Sequence, residues 1–257
     1  RTESTQMALR TARAYRKKDK IAKFEGNFHG QHDTVLISTL GTKGEPNELL
    51  PHIDSAGIPK ATTKDVLVLP FNDTEGTLSS IKKDADNLGA VILEPVSAFG
   101  LGCVPAELEF LKAVREITSE NDIPLIFDEV VTNFRLGLGG AEEYFSVVPD
   151  LVCLGKILGG GFPIGGYGGR KDIMDKMVTP QVGLWDLKEQ IFQSGCFSGN
   201  PITMTAGNVV LNELEKKNVY PQLNSQTKKL REGIREIGEQ LGFDMLVTGV
   251  TSLLQIH

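Results

Sequence analysis

Short apolar runs recur along the middle of this chain, and each stops abruptly at a charged residue or a proline. Val66–Leu69 runs into Pro70. Ala90-Val91-Ile92-Leu93 ends in Glu94-Pro95, Leu125-Ile126-Phe127 ends in Asp128-Glu129, and Leu151-Val152-Cys153-Leu154 ends at Gly155-Lys156. Runs this short and this uniformly apolar fit strands buried on both faces. Between two of them, Phe110, Ala113, Val114 and Ile117 fall at i, i+3, i+4 and i+7. That spacing predicts a helix over 106–119, with Pro105 ahead of it where a proline is tolerated. Strand, helix and strand in this rhythm imply a parallel sheet covered by helices, an α/β fold. Ligands of such sheets bind at the carboxyl ends of the strands. Glu94, Asp128 and Lys156 all fall there.

The flanks are read in the same way. Ala8, Ala12 and Tyr15 line one face of a helix over 3–17, whose first turn offers free N–H groups, a ready anion site. Ile21–Phe24 is a strand leading into Glu25-Gly26-Asn27-Phe28-His29-Gly30. Taken alone, Phe28 is a core side chain and His29 a hydrogen-bonded structural one. Residues 33–63 are irregular, rich in Gly, Pro and Thr, and a loop this long is functional or mobile. Ser198-Gly199-Asn200-Pro201 is a helix start, with the helix reaching about Lys217. A second helix over 224–241 carries Leu230, Ile234, Ile237 and Leu241 on one face, with Gly242 to end it. Both ends of the chain fall inside regular structure, so it reads as an internal fragment of a longer one.

Composition excludes several classes. A formal net charge of -6 leaves no basic excess for nucleic-acid phosphates. No apolar run is long enough to span a bilayer. The three cysteines, Cys103, Cys153 and Cys196, show no CxxC or metal-ligand spacing, and their odd number argues against a disulfide framework. No metal is expected, and a reducing cytosol suits such a chain.

Lys156 is the residue that needs explaining. A lysine at the end of a buried strand is costly unless it is paired or loses its charge. Forming an imine with an aldehyde is one use of such an amine, and a solvated loop lysine is the plain alternative. An acid on a neighbouring strand, Asp128, favours the first. The segment around Asp128 also fits the magnesium-binding strand of a P-loop ATPase, but no GxxxxGK[ST] is present. Nor is there a GxGxxG, and Gly159-Gly160-Gly161 is no dinucleotide fingerprint. Pyridoxal phosphate, by contrast, needs a lysine for its aldehyde and an acid at its pyridine nitrogen. It also needs an anion site for its phosphate and flat apolar groups against the ring.

Three stretches carry a resemblance: "LIFDEVVTNFRLGLGGAEEYF", "PDLVCLGKILGGGFPIGGYGGR" and "QSGCFSGNP". In this order and spacing they resemble the class III aminotransferases of the fold type I pyridoxal enzymes, over nearly the whole chain. Within that class the chain is most similar to the glutamate-1-semialdehyde 2,1-aminomutases. The resemblance implies a three-layer sandwich with a mostly parallel sheet, followed by the beginning of a small C-terminal α+β domain. It divides the chain into a large cofactor-binding domain over 1–217 and a linker helix with the start of the small domain over 218–257. It makes Lys156 the Schiff-base lysine and Asp128 the partner of the pyridinium. Val130 is placed against one ring face and Phe28 against the other, where the family usually has tyrosine. Thr2 falls on the phosphate-binding loop, and Arg1 falls where the family usually has glycine. Gly195-Cys196 matches a Gly-Thr pair that reaches the phosphate across a dimer interface, with a thiol in place of the stronger hydroxyl donor. Glu94 and Arg135 sit in family motifs and are read as structural. Phe99 stands where many relatives have a polar or acidic residue facing the substrate.

The expected function is amino-group transfer dependent on pyridoxal phosphate, in a cytoplasmic homodimer acting on an amino acid or amino aldehyde. Intramolecular transfer, the aminomutase reaction, is the alternative within the class. A relative or fragment that binds the cofactor with weak turnover is the alternative outside it. Neither nucleic acid nor membrane is an expected partner.

Overall fold

In the computed structural model, which describes residues 1–40, 43–45, 48–177 and 191–257, side-chain alternation along the strands sorts two cores. The main sheet has strands β1 (Lys20–Phe24), β2 (Val66–Leu69), β3 (Leu88–Leu93), β4 (Leu125–Asp128), β5 (Leu151–Gly155) and β6 (Gly165–Gly169). They lie in the order β6-β5-β4-β3-β1-β2. All pairings are parallel except β5 with the edge strand β6. Helices α1 (Thr2–Arg16) and α5 (Lys171–Met177) cover one face. Helices α2 (Thr74–Asp84), α3 (Leu108–Glu120) and α4 (Gly140–Phe145) cover the other. Ile21, Ile92, Ile126 and Leu151 pack with Ala8, Leu9 and Ala12 of α1. Their neighbours in sequence, Ala22, Val91, Leu93, Leu125 and Phe127, pack with Ile81 of α2 and with Phe110, Leu111 and Val114 of α3. The result is the expected three-layer α/β sandwich.

This parity decides where the polar strand ends point. Asp128 follows Ile126 by two residues and therefore shares the α1 side of the sheet. Lys23 does too, and it is fully buried. Its ammonium donates to the carbonyl of Ile37 and to Thr39 Oγ1, and burial lowers its pKa to about 7. At the other end of the sheet, Asp150 fixes the strand starts. It accepts from Leu125 N at 2.8 Å, from Arg115 at 2.8 Å and from Arg170 at 2.9 Å.

Local chemistry sets the helix ends. Asp73 caps α2 by accepting from Gly76 N at 3.0 Å. Asn200 caps α6 (Pro201–Leu214) by accepting from Ile202 N and Thr203 N, with Pro201 in the first turn. Gly242, at φ 73°, ends α7 (Val219–Leu241).

Three expectations need correction. Helix α3 begins at Leu108, not at residue 106, because Pro105 belongs to a two-residue strand paired with Val96. The 33–63 segment contains a short hairpin, Lys43–Glu45 with Glu48–Leu50. The last helix begins at Val219, not at residue 224. The apolar stripe of α7 is also mostly uncovered: Leu230, Ile237 and Leu241 are 54%, 56% and 66% exposed. Beyond it, Val247–Thr248 pairs with Gln255–Ile256, and Leu253 between them is buried in the α3-side core.

Candidate active site

Strands β4 and β5 are paired so that Asp128 faces Cys153, three residues before Lys156. The sequence-predicted acid and lysine therefore end adjacent strands at the same edge of the sheet. Asp128 is fully buried. Its Oδ1 accepts from Val130 N at 3.1 Å, and its Oδ2 lies 2.9 Å from His29 Nδ1 and 3.5 Å from Arg1 Nε. Burial alone would raise its pKa, but the Arg1 charge, the His29 hydrogen bond and the Val130 N–H together hold it below the usual carboxylate value. Asp128 is thus an ionised acceptor at the bottom of the site. His29 is pushed down to about 4, first by burial and against the pull of Asp128, so it is neutral with its Nδ1–H donating. Its Nε2 is buried with no hydrogen-bond partner.

Lys156 follows β5 directly and opens a 3-10 turn over Lys156–Gly159. Its φ of 49° is left-handed, a conformation that non-glycine residues adopt rarely and that clusters at functional sites. The side chain is exposed, and its pKa is lowered by burial of part of the chain and then by the nearby charges of Arg1 and Arg135. A lowered pKa leaves more of the amine in the free-base form that acts as a nucleophile. Glycines hold this turn against α6. A Cβ on Gly160 would stand 2.4 Å from Ala206 O, and one on Gly207 would stand 2.2 Å from Leu158 O.

Glu94, at the carboxyl end of β3, completes the floor. It is fully buried, accepts from Phe28 N at 2.9 Å and pairs with Arg1 at 2.8 Å. Burial and the Asp128 charge lift its pKa to about 7 despite Arg1. Phe28 sits at the mouth, its ring 5.2 Å from that of Phe99, which is 59% exposed. Val130 is buried against the Gly155 backbone, among the α1-side core residues.

Thr2 begins α1, and its hydroxyl accepts from Gln31 N at 3.1 Å. Thr5 Oγ1 donates to the carbonyl of His29, and Ser4 Oγ donates to the carbonyl of Gly166 at 2.5 Å. The N-terminus of α1 is thereby tied both to the 28–31 loop and to β6. Gly195 and Cys196 are exposed, on the loop that leads into α6, outside the Asp128 cluster. Arg135 uses its guanidinium on the Val131 carbonyl at 2.8 Å, which is a structural role.

The residue that sequence reasoning gave no place in the site is Arg1. Its guanidinium lies against Asp128 and Glu94, donates to Phe28 O at 2.7 Å, and stands 5.3 Å from the Phe28 ring centre. The pairing of His29 with Asp128 was also missed. The strand-end position of Glu94 was the one available signal, and it pointed to the right edge of the sheet.

Can this pocket hold the cofactor that the sequence implied? A flat cation already lies over Phe28 with a nitrogen turned to Asp128. The same acceptor and the same ring suit a protonated pyridine, provided Arg1 leaves. Among the described residues, no group of His, Cys, Asp and Glu could hold a metal ion, and no helix is long and apolar enough to cross a membrane.

Known proteins match this chain over nearly its whole length. Residues 2–249 match the sequence model of the aminotransferase class-III family. A glutamate-1-semialdehyde 2,1-aminomutase of Methanosarcina acetivorans is 45% identical, over 99% of this chain and 57% of the relative. An omega-transaminase from Sphaerobacter thermophilus superposes with a TM-score of 0.89 at 38% identity, over 100% of this chain and 57% of that one. A transaminase solved with PLP bound gives the same TM-score of 0.89 at 32% identity, over 99% of this chain and 57% of that one. The chain therefore spans a little over half the length of the relatives it matches.

Proposed function

The chain belongs to the class III aminotransferase family, and from that premise we propose that the protein transfers amino groups with pyridoxal phosphate. The observation that carries this is the pairing of a buried, ionised Asp128 with an exposed Lys156 on adjacent strand ends, beside a slot that takes a planar cation. Bound there, the cofactor supplies an electron sink for the carbon from which a proton is removed. Asp128 holds the ring nitrogen protonated. His29 and the Val130 N–H hold Asp128 ionised and in place. Phe28 and Val130 would hold the ring, and the N-terminal turn of α1 at Thr2 would hold the phosphate. Lys156 would supply the amine that takes the cofactor aldehyde and the base for the substrate proton.

The substrate is an amino acid or amino aldehyde entering past Phe28 and Phe99. Transfer within one molecule is the second reading, favoured by the 45% identity to an aminomutase. An external amino donor separates the two, since intramolecular transfer needs none. Cytoplasmic residence and a homodimer belong to the same reading. The dimer is supported by the exposed loop at Gly195-Cys196 and by Phe192, Phe197, Ile202 and Val209 beside it, which are 62%, 83%, 63% and 64% exposed. So does the division into a cofactor domain over 1–217 and the start of a small domain over 218–257.

Lys156 provides the test. Borohydride reduction of the cofactor-loaded protein should fix the cofactor on one peptide, the one containing Lys156. Lys156→Ala should still bind the cofactor but lose nearly all turnover. A label on another lysine, or an active alanine variant, removes the reading.

A further inference from the structure

Arg1 is held in place by four contacts of three kinds. It forms an ion pair with Glu94 at 2.8 Å, lies 3.5 Å from Asp128, donates to Phe28 O at 2.7 Å and faces the Phe28 ring at 5.3 Å. Its side chain is 9% exposed, and Glu94 and Asp128 are 1% and 0% exposed. Two buried carboxylates this close are costly unless a cation stands between them. Arginine suits that place because its guanidinium is planar, always charged and able to stack on an aromatic face.

A planar cation facing Asp128 over Phe28 has the shape and charge of a protonated pyridine. We infer that Arg1 fills the ring slot of the cofactor-free protein, so that cofactor binding is an exchange in which the pyridine ring takes over Asp128 and Phe28 from Arg1. This inference rests on the proposed use of pyridoxal phosphate at the same site. It assigns Arg1 a role in setting cofactor affinity and none in the chemistry. The ordinary arithmetic of selection applies: the apparent dissociation constant rises by the inverse of the fraction of molecules with the slot open. Seating Arg1 in nine molecules of ten therefore weakens binding about tenfold. The exchange is selective for ligands that bring their own positive charge to Asp128. A neutral ring of the same size would leave both carboxylates without a cation.

The experiment titrates the cofactor-free protein with pyridoxal phosphate, following visible absorbance, and compares Arg1→Gly and Arg1→Lys with the unsubstituted protein. Thermal midpoints are read with and without cofactor. Arg1→Gly should bind about tenfold tighter or better. Its cofactor-free midpoint should fall, because Glu94 and Asp128 lose their counter-ion, and its cofactor-induced rise should exceed that of the unsubstituted protein. Arg1→Lys keeps the charge but not the plane, so its affinity should lie between the two. Equal affinity in all three proteins overturns the inference. So does weaker binding in Arg1→Gly, which would make Arg1 a ligand of the phosphate. If no protein binds and Lys156 takes no label, the proposed function falls and this inference with it.

Discussion

Acid should destabilise this fold through His29 as the pH falls below 6.5. Buried among Asp128, Arg1 and Lys23, His29 protonates at about 4 instead of 6.5, with burial the largest cause. The folded pKa is the lower one, so as pH falls through 6.5 the unfolded chain takes up the proton first. Stability drops from there until the pH reaches about 4. Over that span of 2.5 pH units (6.5 less 4), at roughly 1.4 kcal/mol per unit, the loss is about 3 kcal/mol. Other groups act in the same window, among them Glu129, whose carboxyl pKa is raised by burial. His32 is lowered to about 4 as well, chiefly by burial, and adds to the loss. Glu94 works the other way: raised from 4.5 to about 7, it binds its proton first in the folded state and restores stability as pH falls from 7 to 4.5. The unsubstituted protein sums them all, so its own pH profile cannot isolate His29. His29→Gln can. Denaturant unfolding of both proteins at pH 7 and pH 4.5 gives the answer. The variant should start less stable, since Asp128 loses a hydrogen bond. It should then lose less than the unsubstituted protein between the two pH values, by about 2–3 kcal/mol. Equal losses in the two proteins would show that His29 is not the buried neutral group described here.

Asp128→Asn keeps the shape of the side chain but cannot hold a pyridinium charge, and its single acceptor oxygen can serve His29 or the Val130 N–H but not both. Turnover should fall by more than about tenfold, the equivalent of ~1.4 kcal/mol, and steady-state rates at saturating substrate would measure it. A smaller effect would take Asp128 out of the proposed chemistry. Sedimentation of the purified protein should show a dimer, with Phe197→Asp moving the equilibrium toward monomer; an active monomer would contradict the shared site.

The strands were readable because each repeats a simple pattern of apolar run and polar stop. Asp128 and Lys156 were readable for the same reason, since each is the polar stop. β6 was not, because Gly-Gly-Tyr-Gly-Gly has only Tyr167 to show a period, and its pairing in register with β5 forms the strand. Contacts distant in sequence were equally silent. Arg1 meets Glu94 across 93 residues, and His29 meets Asp128 across 99. Only the fold brings these pairs together. The stripe on α7 shows the opposite limit: its helical period was plain, but periodicity alone does not say what covers a face, and Leu230, Ile237 and Leu241 are exposed.

The bare-backbone contact between the Lys156 turn and α6 has a mechanical consequence. With no side chain at Gly160 or Gly207, carbonyls of one segment rest on the main chain of the other. Side chains can absorb a small displacement by changing rotamer; two main chains in contact cannot. A side chain added at either glycine would push the Lys156 turn and α6 apart, and α6 follows directly on the loop at Gly195-Cys196.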